Sequence, residues 1–301
     1  MLKQVTADGM LRSINDNFGL LDTVSGRVYF VDGNAGSDTN SGSSWDDAFK
    51  TLAVALATSH ANIAASSKGW AARNRIYCKG DSFEEDLTKL AQKTDVIGTG
   101  SCDHLHGARL IGNHAIDTTM YMGCRFINFH FKAPETGGDI FTIPTEQSGI
   151  AFIGCSFDGG SEVAAGGAII ATAVESLTIR GCEFRGAFSD AVIEIGAGES
   201  NSLHIEDNIV QGAEVGIEVS ASATCTIRAG YILRNVINTT KECIKDSSGK
   251  FYVHGNYCVT GNAKGVAGAG GIVAGAKMML QNYLSASDVA NAIVPANGAL
   301  S

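Results

Sequence analysis

Leu177-Thr178-Ile179-Arg180-Gly181-Cys182-Glu183-Phe184 has the form apolar-x-apolar-x-x-(Cys/Asn)-x-apolar. Degraded copies begin at Thr119 (TMYMGCRF), Ile150 (IAFIGCSF), Leu203 (LHIEDNIV), Cys225 (CTIRAGYI), Phe251 (FYVHGNYC) and Lys277 (KMMLQNYL). The starts advance by 31, 27, 26, 22, 26 and 26 residues, the period of a stacked array. Positions one, three and eight are mostly apolar with polar residues between one and three, which is strand-like alternation. Position six reads Cys124, Cys155, Cys182, Asn208, Gly230, Asn256 and Asn282. Such a column suits an inward corner, where a stacked amide bonds to the coils on either side and a thiol packs as a small hydrophobe. A second short strand follows in most copies: DIFTIP from Asp139, GAIIAT from Gly167, AVIEIG from Ala191, VGIEVS from Val215 and GGIVAG from Gly270. No unit holds a 3.6-residue period over ten or more residues. The expected fold is all-β, a right-handed parallel β-helix solenoid.

Composition agrees. A chain of 301 residues fits one solenoid domain, and 45% apolar content fills its core. With 37 Gly and only 3 Pro, the chain turns often and keeps its N–H groups for sheet ladders. A net charge of −9 argues against nucleic acid or an anionic membrane as partner. No apolar run reaches the ~18–20 residues of a transmembrane span. The first residues, MLKQVTADGMLRSINDNF, lack the apolar stretch of a signal peptide. Eight Cys, none in a C-x-x-C pair, read as reduced buried thiols.

Two domains are expected. In residues 1–27, Leu11, Ile14, Phe18 and Leu21 are spaced as one face of a short amphipathic helix. That segment reads equally as a lid on the solenoid's open end or as an anchor to a larger assembly. Residues 28–301 form the solenoid, and residues 52–67 add a helix packed over its first coil.

The stretch from Val28 runs VYFVDGNAGSDTNSGSSWDDAFKTL, a strand ending in VD, then an Asx- and Gly-rich turn, then FKTL opening a helix. It resembles the opening segment of pectin-lyase-like right-handed β-helix proteins. Arg75-Ile76-Tyr77-Cys78-Lys79-Gly80-Asp81-Ser82-Phe83-Glu84-Glu85 and Asp95-Val96-Ile97-Gly98 resemble their first coil. The resemblance covers residues 28–100 by motif. It implies the architecture, shared by polysaccharide lyases, surface proteins and phage appendages, and leaves activity open, because fold does not fix function.

Several residues carry candidate chemistry. Asp32 and Asp38, with Asn34 and Asn40, have the oxygen donors of a Ca²⁺ loop, although Asx residues and Gly build turns without an ion. His104 and His106 would share a strand face beside Cys102, a donor set that suits Zn²⁺, although two His in a polar turn are commonly just solvated. Neither argument requires a metal, and no cofactor is expected. Glu194 and Glu218 take equivalent outward positions in adjacent coils, at about the carboxyl spacing of a retaining glycosidase. Ala171 precedes them in that column and Lys245 follows, so a solvated charge column explains the same letters. A second column, Arg180, Glu206, Arg228 and His254, reads as surface ion pairs. Tyr231, Tyr257 and Tyr283 fall at position seven of three successive copies, as a glycan-stacking platform, a subunit interface or plain cross-coil packing.

Two classes of function compete. The helix-like DGMLRSINDNF before a compact β-helix resembles phage appendage and head-decoration proteins, which implies a non-enzymatic virion structural protein. Its expected partners are two further copies in a trimer and other virion proteins, with assembly in the bacterial cytoplasm. The alternatives are a tailspike-type polysaccharide lyase or glycoside hydrolase acting on host surface glycan, and a carbohydrate-binding module without cleavage.

Overall fold

The chain turns at the fifth position of each repeat. Asn128, Gly154, Gly181, Asp207, Arg234 and Gly255 all have φ between +54° and +67°. In this left-handed region Gly meets no Cβ clash and Asn and Asp bear a reduced penalty, so the sequence supplies those types at all but one of the six corners. A computed structural model describes residues 25–66, 71–100, 107–160, 165–220, 222–224, 230–248, 251–260, 272–274, 278–280, 283–284 and 293–295. The amphipathic stretch Leu11, Ile14, Phe18 and Leu21, together with Cys102, His104, His106, Arg228 and Asn282, lies outside the described residues.

Every strand pairing among the described residues is parallel. Ten strands, from Ser25–Val31 to Met278–Leu280, stack in chain order into one sheet. A second, fifteen-stranded sheet supplies the other walls. Its short strands, such as Ser156–Asp158 and Ile169–Ala171, stand on separate faces in the early coils. In the later coils single long strands, Ile209–Val219 and Val236–Asp246, run through the bend between those faces. This is the parallel β-helix read from the repeats, with the right-handed coil that parallel crossovers take almost without exception.

The inward columns are continuous. Position three places Ile76, Val96, Phe126, Phe152, Ile179, Ile205, Ile232 and Val253 in the core, all fully buried. Position eight places Phe131, Phe157 and Phe184 in register, their rings stacked at 4.9 and 4.7 Å. The N-terminal end is covered by the helix Leu52–Ala65, which buries Leu52, Ala55, Leu56, Ser59 and Ile63. Its first N–H groups are all satisfied: Glu85 accepts from Leu52 at 2.8 Å and Ala53 at 2.9 Å, and Thr51 from Val54.

Strand register corrects two repeats. Ala151 pairs with Arg125, so the first copy is Cys124-Arg125-Phe126-Ile127-Asn128-Phe129-His130-Phe131 rather than TMYMGCRF. Cys124 is therefore at position one and Phe129 fills the corner. Likewise Tyr231 pairs with His204 and Tyr252, so the fifth copy is Gly230-Tyr231-Ile232-Leu233-Arg234-Asn235-Val236-Ile237. Gly230 opens it because the Phe251 ring fills the space a side chain would need: a Cβ there would lie 2.1 Å from Phe251 Cε1. Starts at 124, 150, 177, 203, 230 and 251 advance by 26, 27, 26, 27 and 21 residues.

Candidate functional site

Position six is a hydrogen-bonded spine. Asn208, Asn235 and Asn256 each donate from Nδ2 to the position-three carbonyl of the preceding coil, Ile179, Ile205 and Ile232, at 2.9–3.0 Å. Each Oδ1 accepts the position-six N–H of that coil, from Cys182, Asn208 and Asn235. Cys155 and Cys182 point their thiols at the corresponding carbonyls of Phe126 and Phe152, at 3.5 and 3.4 Å. Burial pushes the Cys155 thiol well above its ordinary pKa, so it stays a neutral packing group. The six cysteines among the described residues are all buried. The spine is structural, and Asn235 is the member that the shifted fifth repeat concealed.

The acidic pair stands on the outward side of the second sheet. Glu194 lies between Ile193 and Ile195, and Glu218 between Ile217 and Val219, all four buried, so alternation aims both carboxylates outward. Register pairs Ile170 with Glu194, Glu194 with Glu218, and Glu218 with Lys245. Ile170 thus takes the place expected for Ala171, which faces the core one residue out of phase. Lys245 Nζ donates to Glu218 at 2.6 Å. Burial, then the charges of Glu218, Asp139 and Asp190, raise the Glu194 carboxyl above its ordinary pKa against the opposing pull of Lys245. The column therefore holds one carboxylate committed to a lysine and one biased toward its neutral acid.

The tyrosines separate. Tyr231 lies on the ten-stranded sheet, stacked between His204 at 5.1 Å and Tyr252 at 5.5 Å. Its ring faces are taken by these neighbours, which removes it as a platform for a sugar. Tyr257 lies on the other sheet, in register with Val236 before it and Tyr283 after it. The expected charge column also changes: Leu233 follows Glu206 in register, because of the same repeat shift. Arg180 and Arg234 instead bracket Glu206 and Asp207, with Arg234 at 3.0 and 2.7 Å.

Asp32 and Asp38 build turns. Asp32 Oδ1 accepts from Asn34 and Ala35 N–H groups while Oδ2 meets Lys79 at 2.7 Å. Asp38 Oδ1 accepts from the Lys50 and Thr51 N–H groups. These bonds direct the two carboxylates to separate backbone segments. Among the described residues no three His, Cys, Asp or Glu side chains gather as a metal site.

A cleft of about 470 Å³ opens among Glu84, Glu85, Asp86, Ile111, Lys132 and Glu135. Sequence reasoning missed it because three coils contribute its walls. The Phe83-Glu84-Glu85 motif was its one local signal. Glu85, within it, is committed to the helix N-terminus, and burial raises its carboxyl above the ordinary value.

No family model matches the chain, and no curated protein matches it. A solved structure to which it is similar is the deglycosylated pectin methylesterase from Aspergillus niger, at 13% identity over 91% of each chain with a TM-score of 0.33. No property of that enzyme is carried to this chain.

Proposed function

We propose that the chain is a non-enzymatic structural protein of a bacteriophage virion, a capsid decoration or tail appendage protein that works as a trimer on the particle surface. The observation that carries the non-catalytic part is the commitment of four of its carboxylates to partners within the chain. Glu218 is held by Lys245, Asp95 by Arg73 and Arg125, Asp207 by Arg234, and Glu85 by the helix it caps. A hydrolase or lyase site keeps such groups available for substrate. The virion and trimer parts rest on the resemblance of the N-terminal stretch DGMLRSINDNF, placed before a compact β-helix, to phage appendage and head-decoration proteins. The test is incubation of the full chain with capsular and lipopolysaccharide glycans, read by size-exclusion of the glycan, alongside binding to purified particles. Intact glycan with particle binding supports the proposal, and chain-length reduction overturns it.

One observation favours the glycan-depolymerising alternative. Glu194, its carboxyl raised above the ordinary value by burial and by the neighbouring Glu218, stands in register with a second carboxyl as an acid and nucleophile pair would. Cleavage abolished by Glu194→Gln would establish that reading. A glycan retained uncut would instead support the binding module.

A further inference from the structure

We infer that copies of this chain meet through the C-terminal half of one outward column, Ile209–Val236–Tyr257, continued by strand register to Tyr283. This deepens the assembly reading and rests on it. Position seven runs in unbroken register through Ser82, Arg109, His130, Ser156, Glu183, Ile209, Val236, Tyr257 and Tyr283. Its first half is polar and bonded within the chain. Arg109 donates to Ser82 at 2.9 and 2.6 Å, His130 and Ser156 are 2.7 Å apart, and Glu183 pairs with Arg185. Its second half is apolar and open: Ile209 is 40%, Val236 45% and Tyr257 49% exposed.

Scattered apolar residues on a surface are ordinary, but three adjacent in one column form a patch. The next outward row across these coils, Gln211, Asn238 and Val259, is uncharged too. Nearby, Lys241 and Glu214 pair with each other. On a chain of net charge −9, a neutral strip is where a second copy approaches without like-charge repulsion. A basic partner would be drawn to an acidic face instead. With strands ~4.8 Å apart, the described strip is about 10 Å long. It is therefore the apolar centre of an interface whose rim continues over neighbouring polar residues. Where the rotation between copies closes, a repeated contact of this kind gives a cyclic oligomer.

The test uses the full chain and two variants. Val236→Lys, an outward change that leaves the core intact, should raise the dissociation constant about a hundredfold or more in sedimentation velocity, with the circular dichroism spectrum unchanged. Thr178→Lys, on the ten-stranded sheet, should leave association as it was. Val236→Cys should give a disulfide-linked two-chain band under oxidation, since the native cysteines among the described residues are buried. Unaltered oligomers in Val236→Lys, with no linked band in Val236→Cys, would overturn this interface while leaving an assembling protein. A wild-type chain that sediments singly at all concentrations would overturn the interface as well. The non-catalytic reading would then stand or fall on the glycan assay alone.

Discussion

The coils up to Phe184 and those from Leu203 onward are built by different means. In the first region the core is aromatic, with Phe126, Phe131, Phe152, Phe157 and Phe184 stacked ring on ring. Its corners hold Phe129, Cys155 and Cys182, and its outward column is polar. In the second region the position-three and position-eight columns are aliphatic at Ile205, Val210, Ile232, Ile237 and Val253. The corners become Asn208, Asn235 and Asn256, and the outward column becomes Ile209, Val236 and Tyr257. Three columns change character across one coil boundary. The first region draws its cohesion from packed rings and finishes its own surface. The second draws it from a buried amide spine and leaves an apolar surface for something else to cover.

If that contrast is correct, the two regions respond differently to substitution. The largest effect belongs to the aromatic stack: Phe157→Ala should lower stability by about 4 kcal/mol, by lost burial and a cavity. Leu in its place should cost roughly 1 kcal/mol. Urea unfolding of both variants would show it. Next is the spine. Asn235→Leu strands the Asn208 N–H and the Ile205 carbonyl in the core and should cost about 3 kcal/mol. Cys182→Ala should cost only about 1–2 kcal/mol, since a thiol is a weak donor. Equal losses at these two sites would dissolve the distinction between amide and thiol corners.

A pH effect of similar size marks the first region. His114 is buried against Phe141 and Phe131, accepts the Leu87 N–H at 3.1 Å, and has its pKa lowered by burial to about 4. Because the folded value lies below the ordinary 6.5, the unfolded chain takes up a proton first. Stability is complete above about pH 6.5 and falls as pH drops toward 4, by about 3 kcal/mol in all. In His114→Gln the loss across that window should shrink, as followed by urea midpoints at pH 7 and pH 4.5. The smallest expected change is at a corner. Gly181→Ala, at φ +62°, should cost about 1 kcal/mol from the backbone alone, since a Cβ there meets no atom closer than 3.9 Å.

The sequence carries the fold because inward positions three and eight are apolar in almost every coil, and alternation cannot survive a one-residue slip. Where the strand register departs from the repeat pattern, a different residue does the same physical work. Asn128 takes the left-handed corner that Gly takes in neighbouring coils, and Phe129 fills the place of a thiol. The likeness of Met-Gly-Cys-Arg-Phe to Ile-Gly-Cys-Ser-Phe therefore drew the register five residues away. Arg234 hides the fifth corner in the same manner, since an arginine rarely adopts positive φ. Here its guanidinium is held by Glu206 and Asp207. The nearly constant 26–27-residue advance through the first five starts was the available signal. The acidic pair was legible because a period of two and the repeat together place Glu194 beside Glu218. The cleft at Glu84 and Lys132 was not, because it exists only once separate coils are stacked.

The contrast between the two regions turns on whether the second region's neutral face brings copies of the chain together. Light scattering on the full chain over a dilution series tests it most directly. A mass of three times 31.3 kDa that persists until high dilution is the expected result. A mass of 31.3 kDa at every concentration would contradict it.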